Sequence, residues 1–189
     1  MSFVWIVPTM SKTATGLSRL FGFDIDAFDS GDPVESLAEC YFEVDRDLNK
    51  RFGPRQFCGD LLANEDDLWV VSTRLRDFFI AEKIPEIHFV PVDIFEGRKK
   101  HDGYFVMQFL SGIDAIDEKE TTISYGFGGI AYVDNLTIDP EATGDERLFK
   151  ITDMPQPVFA TTEFANLMKE KGFESFDIKA TQEFGANND

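Results

Sequence analysis

Cysteine and histidine are scarce in this chain, with two of each among 189 residues. Cys40 and Cys58 form no CxxC pair, and with only His88 and His101 beside them a zinc site of the Cys/His type cannot be assembled. A disulfide between the two would stand alone, so a reducing compartment and free thiols are the better expectation. Long apolar runs are also missing. None approaches the roughly 18–20 residues that span a bilayer, and the apolar start MSFVWIVP lacks a basic n-region and is cut by Pro8. A cytoplasmic protein with no membrane partner is expected. Basic residues are few: 18 Lys and Arg stand against 35 Asp and Glu, a net charge of −17. Such a surface repels nucleic acid phosphates and draws in a basic partner.

Catalytic signatures are absent as well. There is no GxSxG elbow and no P-loop. His88 lies inside an apolar strand and reads as a half-buried strand residue, and His101 sits beside a basic turn, so neither makes a base for Ser–His–acid chemistry. The glycine cluster at Gly126–Gly129 lacks dinucleotide-loop spacing and reads as a bend between strands.

What is present is an ordinary globular composition, 43% apolar and 28% charged, with 20 Phe. Phe has no polar group to satisfy, so most of these rings are expected in the interior. Phe3–Val7 reads as a buried strand, residues 11–38 as loops with brief extended pieces, Cys40–Val44 as another strand, and residues 45–67 as irregular, with a turn at Gly53-Pro54. Ile87–Ile94 reads as a strand in which Pro91 marks an edge or a bulge. Gly103–Leu110 is a strong strand, and Ile113–Ile116, Thr121–Tyr125, Gly129–Val133, Asn135–Ile138 and Leu148–Ile151 read as short ones. The fold class is α+β: mixed, mostly antiparallel sheet with a few short helices.

Ser72 is placed to cap a helix that buries Leu75, Phe78 and Phe79, stopped at Pro85. Thr161 heads a second helix with Phe164, Leu167 and Met168 in the same places, ended by Gly172. Phe173, Phe176 and Ile178 then match Ile84, Ile87 and Phe89, all at an offset of 89. Either one cap–helix–strand unit occurs twice, or two ordinary units share a register. The chain divides into a variable portion 1–67 packed on the main domain, an α+β domain 68–180, and a tail 181–189 expected to fray.

Carboxylates offer the remaining candidate chemistry. Asp24-x-Asp26 and Asp45-x-Asp47 have the look of metal or glycosidase pairs, a spacing that an acidic chain produces by chance. Asp139–Lys150 imitates a calcium loop, but Lys150 stands where a bidentate Glu is needed. Asp114 and Asp117 lie in an Ile113/Ile116 frame, as a capped turn at a strand end or a functional turn. No cofactor and no catalytic or metal residue is assigned.

The segments LWVVSTRLRDFF, IHFVPVDI, YFVMQFLSGIDAIDEKE, LTIDPEATGDERLFKI and VFATTEFANLMKEKGFE, from Leu68 to about Phe176, carry a resemblance. Together they are similar to a family of bacterial immunity proteins encoded beside polymorphic toxins, the eleventh such family catalogued. Gln108 departs from the Asn frequent there, which leaves a hydrogen-bonding role at this position open. The resemblance implies a non-enzymatic protein that binds and neutralises a cognate protein toxin, with Asp114 and Asp117 as the family-like turn and a homodimer compatible with it. If that toxin is a basic nuclease, the expected contacts are Asp24, Asp26, Asp29 and Asp32, with Asp66 and Asp67 as a second patch. The alternatives are a hydrolase acting through paired carboxylates and a non-catalytic regulatory or scaffold module.

Overall fold

The computed structural model describes residues 1–10, 15–29, 31–46, 50, 57–126, 129–152, 154 and 157–184. Asp47, Gly53-Pro54, the centre of the 126–129 cluster and residues 185–189 of the tail lie outside them. In chain order the strands and helices are β1 (Phe3–Pro8), β2 (Tyr41–Glu43), β3 (Leu61–Leu62), β4 (Trp69–Ser72), α1 (Thr73–Ala81), β5 (Ile87–Glu96), β6 (Lys99–Phe109), β7 (Thr122–Gly126), β8 (Gly129–Asp134), α2 (Pro140–Thr143), β9 (Leu148–Lys150), β10 (Val158–Thr161), α3 (Thr162–Glu170) and β11 (Phe176–Ala180). The fold is α+β, as the sequence implies.

Two compact units result. The central unit comprises Pro8–Leu110 and Gly172–Phe176; the terminal unit comprises Met1–Val7, Ser111–Lys171 and Asp177–Asp189. The central unit is built on a five-stranded sheet ordered β2-β5-β6-β4-β3, in which only the β2–β5 pairing is parallel. One side of its core gathers Leu17, Leu20, Phe42, Val70, Val90 and Val106. The terminal unit carries a four-stranded sheet ordered β11-β1-β10-β9 and the β7–β8 hairpin, with Leu136, Ile138, Phe149 and Phe159 in its core. Nine of the described Phe residues are buried and the others are partly covered, so about half of these rings, rather than most, lie fully in the interior.

Pro91 meets both halves of its expectation. It lies where β5 has β6 on one side only, because β2 pairs with Asp93–Phe95, and the β5–β6 ladder shifts register just beyond it, between Val92 and Ile94. Two of the expected short strands shrink to single bridges, Ile113 with Ile151 and Ile116 with Ile138. The chain turns too soon for more. The Asp117 carbonyl accepts from the N–H groups of Glu120 and Thr121, and Asn135 takes a left-handed φ of 52°. The start of the tail is also better fixed than expected: Thr181–Glu183 form a 3-10 turn, and Phe184 stands edge-on to Trp5 at 5.2 Å.

The helices fall where the spacing puts them. Ser72 Oγ accepts from Leu75 N–H and Thr161 Oγ1 from Phe164 N–H, each at 3.2 Å, so each hydroxyl satisfies one orphan donor of a first turn. α1 buries Leu75 and Phe79 and half-covers Phe78; α3 buries Phe164, Ala165 and Met168. Each such large side chain contributes about 1.5–3 kcal/mol on leaving water.

The shared register is a true structural repeat. β4, α1 and the start of β5 coincide with β10, α3 and the start of β11 at the offset of 89. The left-handed residues recur too: Lys83 and Glu86 (φ 55° and 54°) answer Gly172 and Ser175 (φ 74° and 78°). The sheets extend the match, since β5-β6-β4-β3 and β11-β1-β10-β9 run in the same order around the helix-bearing strand. Ser72 N–H donates to the Asp60 carbonyl as Thr161 N–H donates to that of Arg147. Thr73 Oγ1 donates to the Gly103 carbonyl as Thr162 Oγ1 donates to that of Ser2. The second copy is circularly permuted: its middle strand is β1, from the N-terminal end of the chain, where the first copy uses β6.

Candidate partner-binding site

The acidic stretch begins with a 3-10 turn, Ile25–Asp29. Asp24 caps it, its Oδ1 accepting from Asp26 N–H at 3.3 Å and its carbonyl from Ala27 N–H at 3.2 Å. Asp24, Asp26 and Asp32 are exposed, while Phe28 and Val34 on the same stretch are buried. The backbone between is bent at Gly31, whose φ of 80° and whose closeness to the Leu110 carbonyl disfavour a side chain.

Gln108, on β6 and only 2% exposed, holds this stretch. Its Oε1 accepts from Val34 N–H at 2.9 Å, and its Nε2 donates to the carbonyls of Phe28 at 3.2 Å and Asp32 at 2.9 Å. Directly across the β5–β6 ladder stands His88, half-buried as expected, with Nε2 3.0 Å from the Val34 carbonyl. A carbonyl only accepts, so Nε2 carries the hydrogen. The hydrogen-bonding role left open at Gln108 is therefore filled: two cross-strand neighbours grip both backbone groups of Val34. The result is a fixed backbone bearing outward carboxylates at Asp24, Asp26 and Asp32, with Asp29 closing the turn.

The second patch splits into two roles. Asp66 is half-buried and accepts from Leu20 N–H at 2.5 Å, which ties its loop to the start of the acidic stretch. The loop itself is set by Asn64, whose Nδ2 donates to the Leu68 carbonyl at 2.6 Å and whose Oδ1 accepts from the Asp66 and Leu68 N–H groups. Asp67 is exposed and has a left-handed φ of 54°. Partial burial of its carboxyl, and second the charge of Asp66, raise its pKa above the usual carboxylate value.

Asp114 and Asp117 belong to the terminal unit. Asp114 is exposed, and Asp117 is half-buried with Oδ1 accepting from Lys119 N–H at 3.0 Å, so Asp117 caps a turn. Asp139 caps α2 through Glu141 N–H at 2.8 Å, which accounts for the calcium-like start of its loop. Among the described residues no three His, Cys, Asp or Glu side chains gather as a metal site would require. No helix among them is long and apolar enough to cross a membrane.

Gln108 and His88 are the residues that reasoning from sequence left without a site role. The signal in the sequence is a glutamine inside the apolar run GYFVMQFL: a polar amide on a buried face must find several partners, although the sequence does not say which irregular segment supplies them.

Taken together, these features define an acidic α+β scaffold, built from two related copies, that anchors a carboxylate-bearing segment by buried hydrogen bonds. The sequence matches the immunity protein family Imm11 over residues 23–183, and the chain belongs to that family. No curated protein matches it.

Proposed function

We propose that this chain neutralises a cognate bacterial toxin by direct contact in the cytoplasm, with no catalytic step of its own. Membership of the immunity family across most of the chain carries this reading. The net charge of −17 and the clamped carboxylates of Asp24, Asp26 and Asp32 support a basic toxin surface, of the kind a nuclease uses to hold phosphate. Carboxylates on a fixed backbone lose little conformational freedom on binding, which favours such a contact. Nucleic acid and membranes are not partners in this reading, because long-range repulsion opposes both.

Co-expression with the product of the adjacent toxin reading frame, scored by survival and by pull-down of the complex, tests the proposal. Protection with a stable complex is expected; growth arrest despite a folded, abundant chain refutes it. Replacing Asp114 and Asp117 together by Asn should leave protection intact. A folded double variant that binds toxin yet loses protection would point instead to carboxylate chemistry.

A further inference from the structure

In the central unit the space beside α1 is filled by Gly172–Phe176. The Arg74 guanidinium lies 4.3 Å from the centre of the Phe173 ring and donates to the Gly172 carbonyl at 2.8 Å. Phe78 packs on Phe173 with ring centres 4.9 Å apart. Asp60 accepts from Arg74 Nη2 at 2.5 Å and from Glu174 N–H at 3.3 Å. The seat thus receives a turn through an apolar wall, one cation and one carboxylate.

The repeat assigns each part of this seat a counterpart in the terminal unit. Arg147 stands for Asp60, Glu163 for Arg74 and Leu167 for Phe78, with the matched backbone and Thr hydroxyl hydrogen bonds fixing the correspondence. Here the space is an open cleft of about 880 Å³ bordered by Arg147, Glu163, Leu167, Asp145, Glu170 and Ser2, and no described residue fills it. The polar pair is present with its signs exchanged, Arg147 on the strand side and Glu163 on the helix.

We propose that this cleft is a docking seat for a turn of the cognate toxin that carries an aromatic residue next to a cationic one; the inference rests on the toxin-binding reading above. The ring packs on Leu167, as Phe173 packs on Phe78. Arg147 receives a guest carbonyl, the part Arg74 plays toward Gly172. Glu163 receives a guest N–H or cation, the part Asp60 plays toward Glu174. Asp145, Glu163 and Glu170 face two cationic groups, Arg147 and the Met1 α-amino group, and leave the border negative by one, which favours a cationic guest over an acidic one.

The test places the photo-crosslinker p-benzoylphenylalanine at position 167 in cells that co-express the adjacent toxin, beside binding measurements on Glu163→Lys and Leu167→Arg. Glu183→Lys, exposed and outside the cleft, is the charge-matched control for the first. A crosslink to the toxin is expected, with each cleft variant binding about tenfold or more weakly, as at a central contact, and the control near the parent. Unchanged melting temperatures exclude misfolding as the cause. A crosslink to a second copy of the chain, or cleft variants that bind as well as the parent, overturns the seat while the immunity reading stands. If the parent chain itself retains no toxin, both readings fall.

Discussion

Replacing Gln108 by Leu keeps the size of the side chain and removes every hydrogen bond that it makes to the acidic stretch. Three bonds go, and two of the groups left behind, Val34 N–H and the Phe28 carbonyl, belong to buried residues. Each stranded group costs about 1–3 kcal/mol, so the clamp contributes about 2–6 kcal/mol, part of which the apolar Leu returns. His88 still holds the Val34 carbonyl, but cannot supply the missing acceptor, because its Nε2 is already a donor there. The stretch should therefore detach locally before the sheet beneath it unfolds. Amide hydrogen exchange is the direct assay: Val34 in the Gln108→Leu chain should lose protection at least about tenfold, while strand amides such as Val106 keep theirs. Gln108→Asn, one methylene shorter, should fall between, because it cannot reach the carbonyls and the N–H together. Toxin affinity should fall in the same order. If Gln108→Leu leaves Val34 protected and the unfolding free energy within about 0.5 kcal/mol of the parent, a clamp by buried hydrogen bonds is the wrong account.

Other expectations follow from the same geometry. Thr161→Ala should cost about 0.5–2 kcal/mol in chemical denaturation, and Ser72→Ala more, because Ser72 Oγ also donates to Asp60 Oδ1 at 2.8 Å; equal costs would argue against that second bond. Asp67→Asn should stabilise the protein at neutral pH. A folded carboxyl pKa above its ordinary value of 3.8 makes the charged form costly in the native state, a cost that vanishes as pH falls below that value. The gain in melting temperature should therefore shrink on acidification to the part due to the left-handed preference of Asn, and a gain that grows on acidification would contradict this sign. Replacing Asp24, Asp26, Asp29 and Asp32 by Asn should slow toxin association and flatten its dependence on salt. A parent rate that barely changes between low and roughly physiological salt, where the Debye length is about 8 Å, would remove steering from the account.

The parts of this fold legible in the sequence are those set by neighbours in the chain. Ser72 and Thr161 act within three residues of themselves, and the Leu75/Phe79 and Phe164/Met168 stripes follow from one helical period, so their positions hold. Pro91 could be read because a missing N–H restricts a strand wherever it lies. Apolar alternation around Ile113 and Asn135 predicts longer strands than the single bridges that form, because it does not reveal how soon the chain turns. The sequence offers Asp66 as a contact carboxylate and gives no sign that it also accepts from Leu20 N–H, 46 residues away. For a carboxylate in an acidic chain, burial decides between surface charge and internal acceptor, and burial is a tertiary property.

The repeat shows the same boundary between local and distant. An offset of 89 is visible wherever cap, helix and following strand are consecutive, because those pieces travel together in the chain. It disappears at the middle strand, which one copy takes from β6 and the other from β1. It is also lost at the position shared by Asp60 and Arg147, where side chains of opposite charge occupy equivalent backbone. What equates these residues is the carbonyl each offers to the first N–H of the cap, Ser72 in one copy and Thr161 in the other. A backbone hydrogen bond places no demand on the side chain of its acceptor, so this position was free to reverse its charge while the cap beside it could not change its chemistry. That freedom lets one scaffold close around its own turn in one copy and present an open, oppositely wired cleft in the other.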